Sequence, residues 1–180
     1  MKRWATVLLA GLAMSATAQI FGPNSQLAAN DYQEDDGEKK WQELTLEPPA
    51  FPKQENLREF YVSAVATNKF FIDASTLAVG ADDVVRYVLV VQTSGGATNV
   101  SFEGIHCKEL KWKHYASGHR DGTWTTSRAA QTLWRPIENK PVNRHHAALS
   151  RDYFCPAGSP ITTADEGRNA LRLGKHPDSN

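Results

Sequence analysis

Apolar residues are densest at Val84–Gln92, which reads Val-Val-Arg-Tyr-Val-Leu-Val-Val-Gln. β-branched and aromatic side chains suit a pleated surface, so this stretch predicts a strand. Val85, Tyr87, Leu89 and Val91 fall on one face, and Val84, Arg86, Val88 and Val90 on the other. Both faces are apolar apart from Arg86, which predicts a central strand covered on both sides.

Weaker patterns flank it. Phe60, Val62, Ala64 and Ala66 alternate with Tyr61, Ser63 and Val65, which predicts a first strand, and residues 70–79 form a second run broken by Asp73, Ser75 and Thr76. Residues 93–98, with two glycines, predict a six-residue turn that returns the chain along residues 99–107 as a hairpin with the central strand. Residues 109–116 alternate again, with Leu110, Trp112 and His114 on one face and Lys111, Lys113 and Tyr115 on the other. A second glycine-framed turn over 118–122 predicts a return strand within 123–134.

Helical signals come late. Asn143 can cap a helix over residues 144–152, and Thr163 with Glu166 makes a capping box for another that ends before Gly174 and Pro177. Strands first and helices last predict an α+β fold: an antiparallel meander with two short C-terminal helices.

The first 18 residues have their own pattern. Lys2 and Arg3 precede a short apolar run, and Ala16-Thr17-Ala18 matches a signal-peptidase cut before Gln19. The expected division is a signal peptide over 1–18, a flexible acidic leader over 19–40 and a single α+β domain over 41–180. The leader's Glu34, Asp35, Asp36 and Glu38 lack the alternating oxygens and central glycine of a calcium loop. Within the domain, residues 41–52 read as an extended arm punctuated by Pro48, Pro49 and Pro52, with Trp41, Leu44, Leu46 and Phe51 as anchors.

Charge narrows the partners. Lys2 and Arg3 are two of 20 basic residues, so cleavage leaves 18 against 20 acidic ones, a net charge of −2. That balance gives no footprint for nucleic acid, and no integral membrane segment is expected after cleavage. Cys107 and Cys155 are the two cysteines of the chain. An even pair in an exported chain predicts one disulfide, closing a loop worth roughly 4 kcal/mol.

Candidate chemistry is sparse. Pairing Gln92 with Asn99 would set Val88 opposite Glu103 and leave Arg86 one diagonal step from that carboxylate, predicting a buried bidentate pair. His106, His114 and His119 fall on or beside strands. His145 and His146 open the first helix about 100° apart, so they are not expected to share a metal. Ser94 and Ser117 lack a nucleophile elbow, Asp82 and Asp83 read as turn residues, and no phosphate-binding or dinucleotide loop occurs. No cofactor or metal is expected. Trp112, Trp124 and Trp134 with Tyr115 could form an aromatic platform for sugar or peptide.

The segments Phe71-Ile72-Asp73, Val84-Val85-Arg86-Tyr87 and Asn99-Val100-Ser101-Phe102-Glu103-Gly104-Ile105-His106-Cys107 resemble the cryptic neisserial protein-like family. Tyr115-Ala116, Asp121-Gly122-Thr123-Trp124, Trp134 and Cys155 extend the likeness from about Trp41 to the last helix. The chain departs from the family at Asp83, where the likeness implies glycine. The resemblance implies an exported Gram-negative protein of the periplasm and supplies no catalytic residues.

The sequence thus leads to a non-enzymatic periplasmic domain that binds an envelope protein or a small ligand. Arg86, Glu103, His106, His114, Trp112 and Trp124 are its candidate ligand-binding residues. The second reading is a small envelope hydrolase with a polar site near Arg86, Glu103 and neighbouring histidines.

Overall fold

The computed structural model describes residues 41–128, 133–141 and 144–179. The signal peptide, the acidic leader and the Asn143 cap lie outside them. Among the described residues are eight strands: β1 (Leu57–Glu59), β2 (Lys69–Asp73), β3 (Ala78–Val79), β4 (Val84–Gln92), β5 (Thr98–His106), β6 (Lys111–Gly118), β7 (Trp124–Thr126) and β8 (Arg135–Pro136). They form one sheet in the order β1-β2-β4-β5-β6-β7. β2 and β3 share one edge of β4, and β7 and β8 share one edge of β6; every pairing is antiparallel. Helix α1 (Arg144–Ala148) runs on into a π-helical turn at Leu149–Phe154, and α2 (Ala164–Leu173) follows. The α+β architecture with its meander, two short C-terminal helices and one disulfide is the one the pattern predicts.

β4 has the predicted bounds, and Val84, Arg86 and Val88 are as buried as Val85, Tyr87 and Leu89. Its two faces build two cores. Val85, Tyr87 and Leu89 join Ile105, Trp112, Leu149, Tyr153, Phe154, Ile161 and Leu171 beneath the helices. Val88 and Val90 join Phe102, Tyr115 and Ala116 on the opposite face, beside the arm. The Cys107–Cys155 disulfide, with Cα atoms 5.5 Å apart, ties the end of β5 to the end of the π-helical turn. α2 opens on the predicted cap: Thr163 Oγ1 accepts the Glu166 amide at 3.1 Å. Gly174 closes it at φ 84°, a left-handed conformation that glycine takes without a Cβ penalty.

Two expectations fail. Residues 60–66 are not a strand; β1 ends at Glu59, because Ser63, Ala64 and Ala66 have weak strand preference and close a turn instead, with the Ala66 amide on the Ser63 carbonyl. The run over 70–79 breaks where its polar residues predict, dividing into β2 and β3 after Asp73, whose Oδ1 accepts from the Ser75 amide and hydroxyl. The turn after β4 has five residues rather than six, and Gln92 pairs with Thr98. Side chains alternate with period two, so this one-residue difference moves every partner to the other face. Tyr87 stands opposite Glu103, and Arg86 stands opposite Gly104. The predicted Arg86–Glu103 pair therefore does not form.

Candidate functional site

Arg86 pairs with Asp82, a residue read from sequence as part of a turn. Nη2 and Nη1 of Arg86 donate to Asp82 Oδ2 and Oδ1 at 2.6 and 2.9 Å, with both side chains almost fully buried. Gly80 makes room for the pair, since a Cβ there would collide with the Asp82 carboxylate and the guanidinium. Burial opposes ionisation of Asp82, but the Arg86 hydrogen bonds and charge, with the Leu44 amide, hold its carboxyl below the usual range. The next residue, Asp83, has φ 61°, the backbone region where glycine is at ease.

The arm closes over this face through polar contacts. Asp82 Oδ2 accepts the Leu44 amide at 2.8 Å, the Asp82 carbonyl accepts Trp41 Nε1–H at 2.8 Å, and Arg86 Nη2 donates to the Leu44 carbonyl at 3.2 Å. Glu43 accepts from Lys113 Nζ at 2.7 Å, Tyr115 Oη at 2.9 Å and Trp134 Nε1 at 3.2 Å. Farther along, Trp124 Nε1–H donates to the Pro49 carbonyl at 2.9 Å. A bulge in β6 beside Phe102 and Glu103 helps to set this face: Tyr115 is the unpaired extra residue, so Tyr115 and Ala116 both join its core. Gly104 lets the Tyr115 ring lie close to β5. Burial raises the Tyr115 hydroxyl well above its ordinary range, so it serves as a donor. The anchors expected on the arm are only partly right. Trp41 anchors through its indole N–H and its edge-on contact with His106, and Phe51 packs against Trp124, whereas Leu44 and Leu46 are 41% and 50% exposed. Charge complementarity pins the arm, and its leucines stay at the surface.

Between arm and sheet lies a cleft of about 440 Å³. Glu43, Leu44, Thr45, Leu46, Glu47 and Pro48 line it on the arm, and Lys113, Tyr115 and Thr126 on the sheet.

Glu103 faces the helices instead. Its Oε2 lies 2.8 Å from His146 Nε2, its Oε1 accepts Ser101 Oγ–H at 2.8 Å, and Tyr87 Oη approaches Oε2 at 3.4 Å. Burial works to raise the Glu103 carboxyl, but the His146 contact, His145 and Ser101 together hold it below its usual range. Trp112 stacks on His146 with ring centroids 3.7 Å apart, and Phe70 stacks on His145 at 5.2 Å. The two histidine rings lie 4.0 Å apart, which overturns the expectation that neighbouring helical positions keep them separate. Both are drawn to the same place, one by Trp112 and Glu103 and the other by Phe70. Burial, then the His146 charge, lowers His145 to about 4.

The sheet thus divides the six candidate residues. Arg86, His106 and Trp124 belong to the arm face, where His106 meets the Trp41 ring edge-on at 5.0 Å. Glu103, Trp112 and His114 belong to the helix face, where His114 Nε2 lies 3.2 Å from Ser117 Oγ at the rim. Glu103 and Trp112 meet through His146; Arg86 and Glu103 never meet. Sequence reasoning missed Asp82, Glu43 and Lys113 as partners and set aside the histidine pair. The available signals were Asp82 four residues before the lone strand charge and a single acid, Glu43, between Trp41 and Leu44.

Among the described residues no helix is long and apolar enough to cross a membrane. No curated protein and no solved structure matches the chain. The family model of the CNP1-like family matches residues 36–172, which takes in the arm, the whole sheet, both cysteines and most of α2. The chain belongs to the CNP1-like family.

Proposed function

We propose that this chain is an exported, non-enzymatic binding domain of the cell envelope, which takes a small amphiphilic ligand in the cleft between arm and sheet. The carrying observation is the manner in which the arm is held. Glu43 and the Leu44 backbone supply the attachment, so Leu44 and Leu46 remain exposed beside a cleft of about 440 Å³. Cavities of about that size suit small organic ligands. Lys113 and Tyr115 supply the polar end, and the arm's leucines and Pro48 the apolar wall. The Cys107–Cys155 bond supports export, because disulfides persist in oxidising compartments. A hydrolase centred on Arg86 and Glu103 draws no support, since the two lie on opposite faces.

The probe is 1-anilinonaphthalene-8-sulfonate, an anionic amphiphile that fluoresces in apolar surroundings. Its signal should saturate at one molecule per folded chain and weaken strongly in Leu46→Glu. A signal that never saturates, or that is equal in the variant, rejects the cleft as the site. Turnover of ester, phosphodiester or peptide substrates that disappears in Glu103→Gln would reject the non-enzymatic reading.

A further inference from the structure

On the helix face, away from the cleft, three side chains are arranged as metal ligands. Glu103, His145 and His146 each offer one donor atom, and these atoms all lie within 4.8 Å of one another. We propose that Glu103, His145 and His146 form a binding site for a divalent transition metal of the zinc class, with the fourth position open to solvent. Two imidazoles and one carboxylate are a donor set that suits zinc, copper or nickel rather than calcium or magnesium. In a tetrahedral zinc site with bonds of about 2.0–2.2 Å, donor atoms lie roughly 3.3 Å apart, so the ligands would close in by up to about 1.5 Å.

Three further observations point the same way. Each ligand is held from behind: Ser101 Oγ–H on Glu103, Trp112 on His146 and Phe70 on His145. Such supporting contacts orient ligands and tune their affinity. His146 Nδ1 is buried with no hydrogen-bond partner, although Nε2 of the same ring meets Glu103. A buried polar nitrogen left unpaired costs about 1–3 kcal/mol, and coordination through Nδ1 would relieve it. His145, finally, is half-buried and lines a surface cleft of about 300 Å³ with Asn68, Phe70 and Arg144. His145 is thus the ligand through which an ion and a fourth donor would reach the site, since Glu103 and His146 are buried behind it. Three protein ligands with one exchangeable position is an open arrangement rather than a closed structural one.

The test is calorimetric titration of the purified, disulfide-bonded chain with zinc chloride, repeated with cobalt(II) and read by visible absorption. One ion per chain and the d–d bands of a tetrahedral cobalt site are expected. His145→Phe keeps an aromatic ring against Phe70, so it should fold with unchanged near-UV circular dichroism and bind at least about tenfold more weakly. Glu103→Gln should weaken binding similarly if it folds. His119→Ala, at a turn remote from the cluster in the sheet, should bind as the parent does. Absence of a saturable single-ion heat overturns the proposal, as does parental affinity in His145→Phe. A loss in His119→Ala equal to that in His145→Phe would place the ion elsewhere and overturn it as well.

Discussion

Asp82 and Arg86 meet end-on, two carboxylate oxygens against two guanidinium nitrogens at 2.6 and 2.9 Å, across the tight turn that leads into β4. The same two residues hold the arm, one by accepting the Leu44 amide and the other by donating to the Leu44 carbonyl. An ion pair four residues long thus governs a contact some 40 residues away.

Asp82→Asn should destabilise the domain by about 3–5 kcal/mol in urea titration, because it leaves a buried guanidinium without a counter-charge. The pH dependence has a definite sign. The folded carboxyl is held below its ordinary value, so its stabilisation is complete above the unfolded pKa of about 3.9 and is lost as pH falls through the lower folded value. The gap between parent and Asp82→Asn should therefore be flat from neutral pH down to about pH 5 and narrow below pH 4. A gap that is small at pH 7, or that widens in acid, contradicts the assignment.

Glu43 and Lys113 invite a double-mutant cycle. Glu43→Leu alone should cost about 2–4 kcal/mol, since it strands the buried Lys113 ammonium. Adding Lys113→Met should recover most of that loss, as apolar replacements of buried pairs often do. Simple additivity of the two losses would show that the pair is not coupled. Limited proteolysis should cut the arm faster in Glu43→Leu than in the parent.

Cys107→Ser and Cys155→Ser should each lower stability by about 2–5 kcal/mol, and the double variant by no more than either single one. Unfolding midpoints of the three proteins decide this; additive losses, or titratable thiols in the native exported protein, would count against the bond.

Export should release a chain beginning at Gln19, because Ala16 and Ala18 occupy the small-residue positions of the cut. Intact-mass measurement of the periplasmic protein checks it, and retention of residues 1–18 would contradict it.

The fold class was legible because β4 and the Thr163–Glu166 box carry strong local signals. The register was not. β4 is apolar on both faces, so no alternation says which face should meet which, and the pairing rested on counting turn residues. The count was long by one residue, since Thr98 pairs with Gln92 instead of extending the turn. Arg86 was correctly singled out as the lone charge in an apolar strand, but its partner lay in the preceding turn. Glu43 was hidden for another reason: an isolated acid in a proline-rich arm has no periodicity to mark it as buried. The histidine pair was misjudged because helical spacing fixes where side chains start, while Phe70, Trp112 and Glu103 fix where the rings finish.

The arm's pins also set an order of events in folding. Glu43 is bound by Lys113 and Trp134, 70 and 91 residues further along the chain. In a polypeptide threaded from its N-terminus, residues 41–52 emerge first, yet their receiving surface is unfinished until residue 134 has followed. The first described segment to arrive is thus obliged to wait for nearly two-thirds of what comes after it. Contacts of such long sequence separation form slowly, so the charged clasp locks only after the strands that receive it have formed.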